Sequence, residues 1–112
     1  MLSQWVSGDL ELSQELRAGK VPVCIREDYT MYLEFFDNVL WFHTDVRKWS
    51  AKVKRKFDED FGLVKNLIGK PIYALIREDD IKLARFAKFI GLSEKCQIKL
   101  LDGSKAFIYA SA

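Results

Sequence analysis

Three stretches in the first half of the chain are rich in apolar, aromatic and branched residues, a composition typical of strands. These stretches are "VPVCIRE", "YTMYLEFF" and "VLWFHTDV". Asp37 and Asn38 separate the second stretch from the third, and this pair suits a two-residue hairpin turn. Ahead of the strands, "SGDLELSQELRAGK" predicts a short helix that Ser7 or Asp9 caps and Gly19 ends.

The apolar spacing changes to three and four residues after Ser50, which predicts an amphipathic helix that ends near Gly69. Its apolar positions are Val53, Phe57, Phe61, Val64 and Ile68. The remaining elements are a buried strand, "PIYALI", a second amphipathic helix, "EDDIKLARFAKFIG", and a closing hairpin, "KCQIKLL" and "KAFIYAS". Asp102 and Gly103 should form the tight turn of this hairpin.

The resulting order is α-β-β-β-α-β-α-β-β, which predicts an α/β (α+β) fold. We expect a mixed, mostly antiparallel sheet of about six strands with three helices packed on it. The 112 residues leave no room for a second core, so residues 1–112 should form a single domain.

Composition excludes several classes of protein. A hydrophobic content of 49% with 30% charged residues is ordinary for a soluble globular domain, and the net charge of +2 does not indicate a general polyanion binder. We find neither an apolar run long enough for a membrane helix nor a secretion signal. Cys24 and Cys96 are expected to be reduced core residues, which suits a cytoplasmic location. No group of Cys or His residues has the spacing of metal ligands.

A basic segment follows the third predicted strand, with six basic residues and no acidic residue between Val46 and Lys56. A helix N-terminus capped by Ser50 could bind a phosphate there. The alternative is a solvated helix face whose lysines and arginines pair with Asp58, Glu59 and Asp60 one turn later. Trp49 could stack a nucleic-acid base, but so small a patch on a nearly neutral chain does not favour a nucleic-acid partner.

His43 lies near the end of the third strand and is a candidate general base, with Glu34 on the neighbouring strand as the alternative base. The competing interpretation of His43 is a partly buried residue bonded to a backbone carbonyl. Tyr73 and Tyr109 are candidate proton donors, although tyrosines on strands usually belong to the core.

Adjacent aromatic residues in a strand point to opposite faces of the sheet, so Phe35-Phe36 and Trp41-Phe42 need cover on both sides. We expect a small domain with three helices to leave part of this surface exposed. We therefore expect a homodimer or a protein partner.

Several segments together resemble the GNAT superfamily of N-acetyltransferases, from Val21 to Tyr109. "VLWFHTDV" matches the central strand of that family, "VRKWSAKVKR" its pyrophosphate-binding loop and helix, and "ARFAKFIGL" the position of a "Y-x-K-x-G-F"-like signature. The runs "WSAKVKRKF" and "KLARFAKFIG" are similar to small GNAT-like proteins of tailed bacteriophages, some of them virion-associated. The resemblance implies a GNAT-like domain with a shortened N-terminal part, located in the host-cell cytoplasm or in the virion.

The resemblance implies acetyl-CoA as cofactor and N-acyl transfer as activity. The cofactor-binding residues would be Thr44, Val46, Arg47, Lys48, Trp49, Ser50, Ala51 and Lys52. His43 or Glu34 would deprotonate the amine, and Tyr73 or solvent would protonate the thiolate. However, no glycine occurs between Gly19 and Gly62, the family's tyrosine falls on Ala87, and its helix-starting asparagine falls on Asp80. These departures imply the alternative of a catalytically silent module that serves in the virion or binds a host protein.

Overall fold

The computed structural model describes residues 19–111. Its elements, in chain order, are β1 (Lys20–Ile25), β2 (Tyr29–Phe36), β3 (Val39–Val46), α1 (Ala51–Ile68), β4 (Ile72–Arg77), α2 (Ile81–Phe89), β5 (Leu92–Lys99) and β6 (Lys105–Ser111). These bounds follow the predicted segments closely. The helix predicted ahead of Gly19 lies outside the described residues, within which there are two helices and not the three predicted for the whole chain.

The six strands form one sheet in the order β1-β2-β3-β4-β6-β5. Every neighbouring pair is antiparallel except β3 and β4, which are parallel and are connected through α1. The prediction of a mixed, mostly antiparallel six-stranded sheet is therefore confirmed.

The β2–β3 hairpin has the predicted two-residue turn. Asp37 and Asn38 have φ angles of 56° and 61°, and Phe36 pairs directly with Val39. Two consecutive left-handed residues are the geometry of a type I′ turn, which Asn and Asp tolerate better than most residues. The β5–β6 connection differs from the prediction. It runs over residues 100–104, where the amide of Gly103 bonds to Leu100 O and the amide of Leu100 bonds to Ser104 O.

Helix α1 packs its apolar stripe against one face of the sheet, and Phe57 lies at the centre of this contact. The Phe57 ring is fully buried and lies 4.9 Å from the rings of both Tyr29 and Phe86. Phe61 makes a similar contact with Phe42 at 4.9 Å. The predicted ends of α1 are also confirmed, because Ser50 Oγ accepts from the amide of Val53 and Gly69 has a φ of 66°.

Phe35 and Phe36, at the tip of the β2–β3 hairpin, are 68% and 65% exposed. The expectation that some adjacent aromatic residues would be incompletely buried is confirmed at these two positions. A dimer or a protein partner stays a prediction. Neither of the two helices in the described part of the chain combines the length and the apolar character needed to cross a membrane.

Candidate functional site

Strands β3 and β4 pair only at their N-terminal ends and then diverge. Two residue pairs, Leu40 with Ile72 and Trp41 with Tyr73, connect them. Past Trp41, the edge of β3 that faces β4 has no strand partner among residues 19–111, so its backbone N–H and C=O groups are available to a ligand. A cavity of about 540 Å³ occupies the gap, and residues 42–46 of β3, 74–76 of β4 and the inner face of α2 line it.

A second cavity, of about 550 Å³, continues from this gap toward the start of α1. The two cavities adjoin because they share Thr44, Val46, Leu83 and Phe86. Three cations also line the second cavity: Lys54 of α1, and Lys82 and Arg85 of α2. Together the cavities form a groove, here called the splay groove, that combines an open strand edge with a basic outer end.

The start of α1 has free amides at residues 49–52, and among these residues Trp49 lines the splay groove. Ser50 is extended, with a φ of −160°, and its side chain satisfies the amide of Val53 at 3.1 Å. No group in the described part of the chain accepts from the amides of residues 49–52. Free amides at the positive end of a helix dipole favour an anion.

Arg47 has a different role from the one predicted. Its guanidinium donates to four oxygens: the carbonyls of Arg26 and Glu27, a carboxylate oxygen of Asp45 and the hydroxyl of Thr30. The amides of Arg47 and Lys48 both bond to the carbonyl of Asp28. These donors fasten the β1–β2 turn to the end of β3 and are not free for a phosphate. The amides that can hold an anion are therefore those of residues 49–52.

The predicted cofactor-binding residues divide into groups. Thr44, Val46 and Trp49 border the splay groove. Lys48, Ser50 and Lys52 border a separate groove on the β1 side of α1, which Trp49 also reaches. Ala51 lines neither groove, so only its amide is a candidate for ligand binding.

The two predicted bases form a single unit. His43 Nε2 lies 2.8 Å from Glu34 Oε1, and both side chains are partly exposed. The register explains the contact: Tyr32 faces His43 and Glu34 faces Trp41, so Glu34 and His43 are diagonal neighbours on the same face of the sheet. His43 also lines the splay groove. Its partner is a carboxylate and not the backbone carbonyl of the competing interpretation.

The candidate proton donors are placed less favourably. The Tyr73 ring lies 6.0 Å from the Trp41 ring, at the last β3–β4 pair, and Tyr109 is buried in the core. Ala87, at the position of the family's tyrosine, is buried and presents only a methyl group to the groove. Asp80 caps α2 through the amide of Leu83. A tyrosine hydroxyl is therefore absent at the Ala87 position.

Sequence reasoning missed the role of Asp60. It is 3% exposed and accepts from Arg26 through two bonds of 2.9 Å, from the Tyr29 hydroxyl at 2.5 Å and from the Cys24 thiol. Burial alone would raise the pKa of Asp60, but the bonds from Arg26 and Tyr29 outweigh it and lower the pKa below 3.8. Burial, and then the bond to Asp60, raises the pKa of Tyr29 well above 10.0.

The sequence does contain a signal for this network. Asp60 is three residues after Phe57 and four before Val64, so helical spacing places it on the buried stripe and not on the basic face. The pairing of Asp58, Glu59 and Asp60 with the lysines and arginine one turn earlier is not observed among residues 19–111.

No protein-family model and no curated protein matches the sequence. Solved structures do match the fold. A GNAT-family acetyltransferase from Bordetella pertussis is 15% identical with a TM-score of 0.62, and the match covers 76% of this chain and 57% of that protein. A ribosomal-protein-S5-alanine acetyltransferase from Vibrio fischeri is 11% identical with a TM-score of 0.63 and covers 96% of this chain and 69% of that protein. RimJ from Mycobacterium smegmatis, in complex with CoA-disulfide, is 20% identical with a TM-score of 0.54, and the match covers 96% of this chain and 60% of that protein.

The chain spans less than two thirds of the Bordetella and Mycobacterium proteins. At these low identities the matches show a shared fold and no more. This fold is the one that the sequence resemblance predicts. The chain has a GNAT-like fold.

Proposed function

We propose that this protein is an acyl-CoA-dependent N-acyltransferase that uses the splay groove as its acyl-CoA site. One observation carries the proposal: β3 and β4 separate after only two residue pairs, and the resulting gap is bordered by His43, which is bonded to Glu34. A flat, fully paired sheet would have no such opening.

The residues of the groove fit acetyl-CoA, which would supply an acyl group activated as a thioester. The open edge of β3, at Thr44 and Val46, can bond to the amides of an extended ligand as it would to a further strand. The free amides of residues 49–52 suit a diphosphate, and Lys54, Lys82 and Arg85 add charged donors. The solved RimJ complex with a CoA derivative supports this use of the fold.

His43 would act as the general base toward the acceptor amine. With Glu34 accepting a hydrogen bond from Nε2–H, the Nδ1 lone pair is left to take a proton, and the carboxylate stabilises the imidazolium that forms. Because Ala87 can donate no proton, the departing thiolate would receive its proton from Tyr73 or from water.

The test is calorimetric titration with acetyl-CoA, followed by a thiol-release assay with amines and with peptides that begin with alanine. His43→Gln should retain acetyl-CoA binding and lose about 10²–10⁴-fold in turnover, the usual contribution of a general base. Lys99→Gln, on the exposed end of β5, is the matched surface control. Absence of heat at millimolar acetyl-CoA would refute the proposal.

A second candidate is a catalytically silent GNAT-fold module of phage origin, which binds a host or virion protein or its own copy. The buried methyl group of Ala87 and the exposed Phe35 and Phe36 favour this alternative. Replacing both phenylalanines with serine should lower the molar mass measured by light scattering if they form a homodimer interface. If the wild-type protein is monomeric and releases thiol from acetyl-CoA, the silent module is excluded.

A further inference from the structure

A cavity of about 960 Å³ forms a groove between the first half of α1 and the β1–β2 turn. It lies on the β1 side of α1, away from Lys54, and Trp49 is the residue that lines both this groove and the splay groove. Lys48, Lys52, Arg55 and Lys56 line one wall, and we call this surface the basic groove.

None of these four cations has an ion-pair partner within residues 19–111, whereas Arg26, Arg47 and Arg77 each pair with an aspartate. Glu59 is four residues after Arg55 and three after Lys56, a spacing at which pairs form on helices, yet it pairs with neither. The first turn of α1 contains no acidic residue. The chain therefore keeps four cations without an ion-pair partner near the start of α1, and Lys52, in the first turn, opposes the helix dipole.

The opposite wall of the basic groove is acidic, since Glu27 and Asp28 lie on the β1–β2 turn. A nucleic-acid strand carries a charge at every nucleotide, so these carboxylates, together with Glu59, would repel it. A polypeptide can place its acidic side chains on one side only, facing α1. Trp49, 48% exposed at the end of the groove, offers an apolar surface to a neighbouring side chain of the same segment.

We propose that the basic groove binds a segment of a partner protein that presents acidic side chains at helical spacing toward α1, with an apolar residue against Trp49. Lys52 and Lys56 are one helical turn apart, so glutamates four residues apart on a partner helix can meet both. The two proposals share Trp49 and the backbone of Ser50 and Lys52, but the peptide assay contains no acetyl-CoA, so either proposal can fail without the other.

The test uses a fluorescein-labelled peptide with glutamates at i, i+4 positions and leucines between them, followed by anisotropy at low salt. We compare the full chain with Lys52→Glu/Lys56→Glu and with Lys95→Glu/Lys99→Glu, a control on exposed β5 positions that changes the net charge equally. The first variant should bind the peptide at least about tenfold more weakly, since each reversal replaces an attraction by a repulsion. The control should bind like the wild type.

Thermal unfolding gives a second readout. Lys52→Glu alone places an acid in the first turn of α1 and should raise the unfolding midpoint by ~2–5 °C while peptide affinity falls. Equal loss of peptide binding in both double variants, or no binding to the wild type at low salt, would overturn the proposal. Tighter binding of oligouridylate than of the peptide, lost with Lys52→Glu/Lys56→Glu, would instead identify a nucleic-acid surface.

Discussion

The buried carboxylate of Asp60 gives the most quantitative prediction about stability. It connects α1 to β1 and β2 through Arg26, the Tyr29 hydroxyl and the Cys24 thiol. Asp60→Asn keeps the size of the side chain but removes its charge and one acceptor oxygen. The perturbation therefore tests the network without opening a cavity.

The expected loss follows from the partners. Breaking a buried ion pair by removing one partner costs ~3–5 kcal/mol, and a hydrogen bond to a charged group contributes ~1.5–3 kcal/mol. The Arg26 side chain is 45% exposed and can turn to water, which reduces its share. The Tyr29 hydroxyl is buried and cannot. We expect Asp60→Asn to lower the free energy of unfolding by about 2–4 kcal/mol, or the midpoint by roughly 10–20 °C.

Urea denaturation followed by tryptophan fluorescence measures this loss, with an unchanged m-value as the check that the two-state description holds. Asp58→Asn, two residues earlier on α1 and without an ion pair in the described chain, is the matched control and should change stability by less than ~0.5 kcal/mol. If Asp60→Asn and Asp58→Asn had equal effects, the assigned role of the network would be wrong.

Three further predictions concern the core, the glycines and pH. Phe57→Ala should cost ~3–5 kcal/mol in chemical denaturation, because the ring is fully buried among aromatic neighbours; a cost below ~1 kcal/mol would contradict this packing. Gly62→Ala should stabilise the protein by ~0.5–1 kcal/mol, because the added methyl group meets nothing within 4 Å. Gly69→Ala should destabilise the protein, because a φ of 66° strains any residue with a Cβ. If both substitutions changed stability in the same direction, the assigned backbone geometry would be wrong. The pKa of Tyr29 in the folded protein is raised above its unfolded value of 10.0. Its contribution to the free energy of unfolding is therefore complete below pH 10.0 and is lost as the pH rises further. The drop in thermal midpoint above pH 10.0 should be smaller in Tyr29→Phe than in the wild type.

The local elements could be predicted because each depends on residues close in sequence. The strands Tyr29–Phe36 and Val39–Val46, the Asp37-Asn38 turn and the Ser50 and Gly69 caps all lie where the sequence predicts them. The β5–β6 turn was less predictable, because Asp-Gly suits several loop lengths and strand pairing decides among them.

The candidate site was harder to predict because its geometry depends on register across strands. Glu34 and His43 meet only because β2 and β3 pair with Tyr32 opposite His43. The apolar pattern of β3 and of β4 gives no indication that the two strands separate after two residue pairs. Arg47 was predicted to bind phosphate because its charge is visible in the sequence, while its four protein acceptors come from the distant β1–β2 region and Asp45.

A crystal structure of the protein grown with CoA tests the central claim most directly. We predict electron density for the extended arm between β3 and β4, bonded to the strand at Thr44 and Val46, with the diphosphate on the amides of residues 49–52. Continuous pairing of β3 with β4 beyond Trp41, or CoA bound outside the splay groove, would contradict the claim.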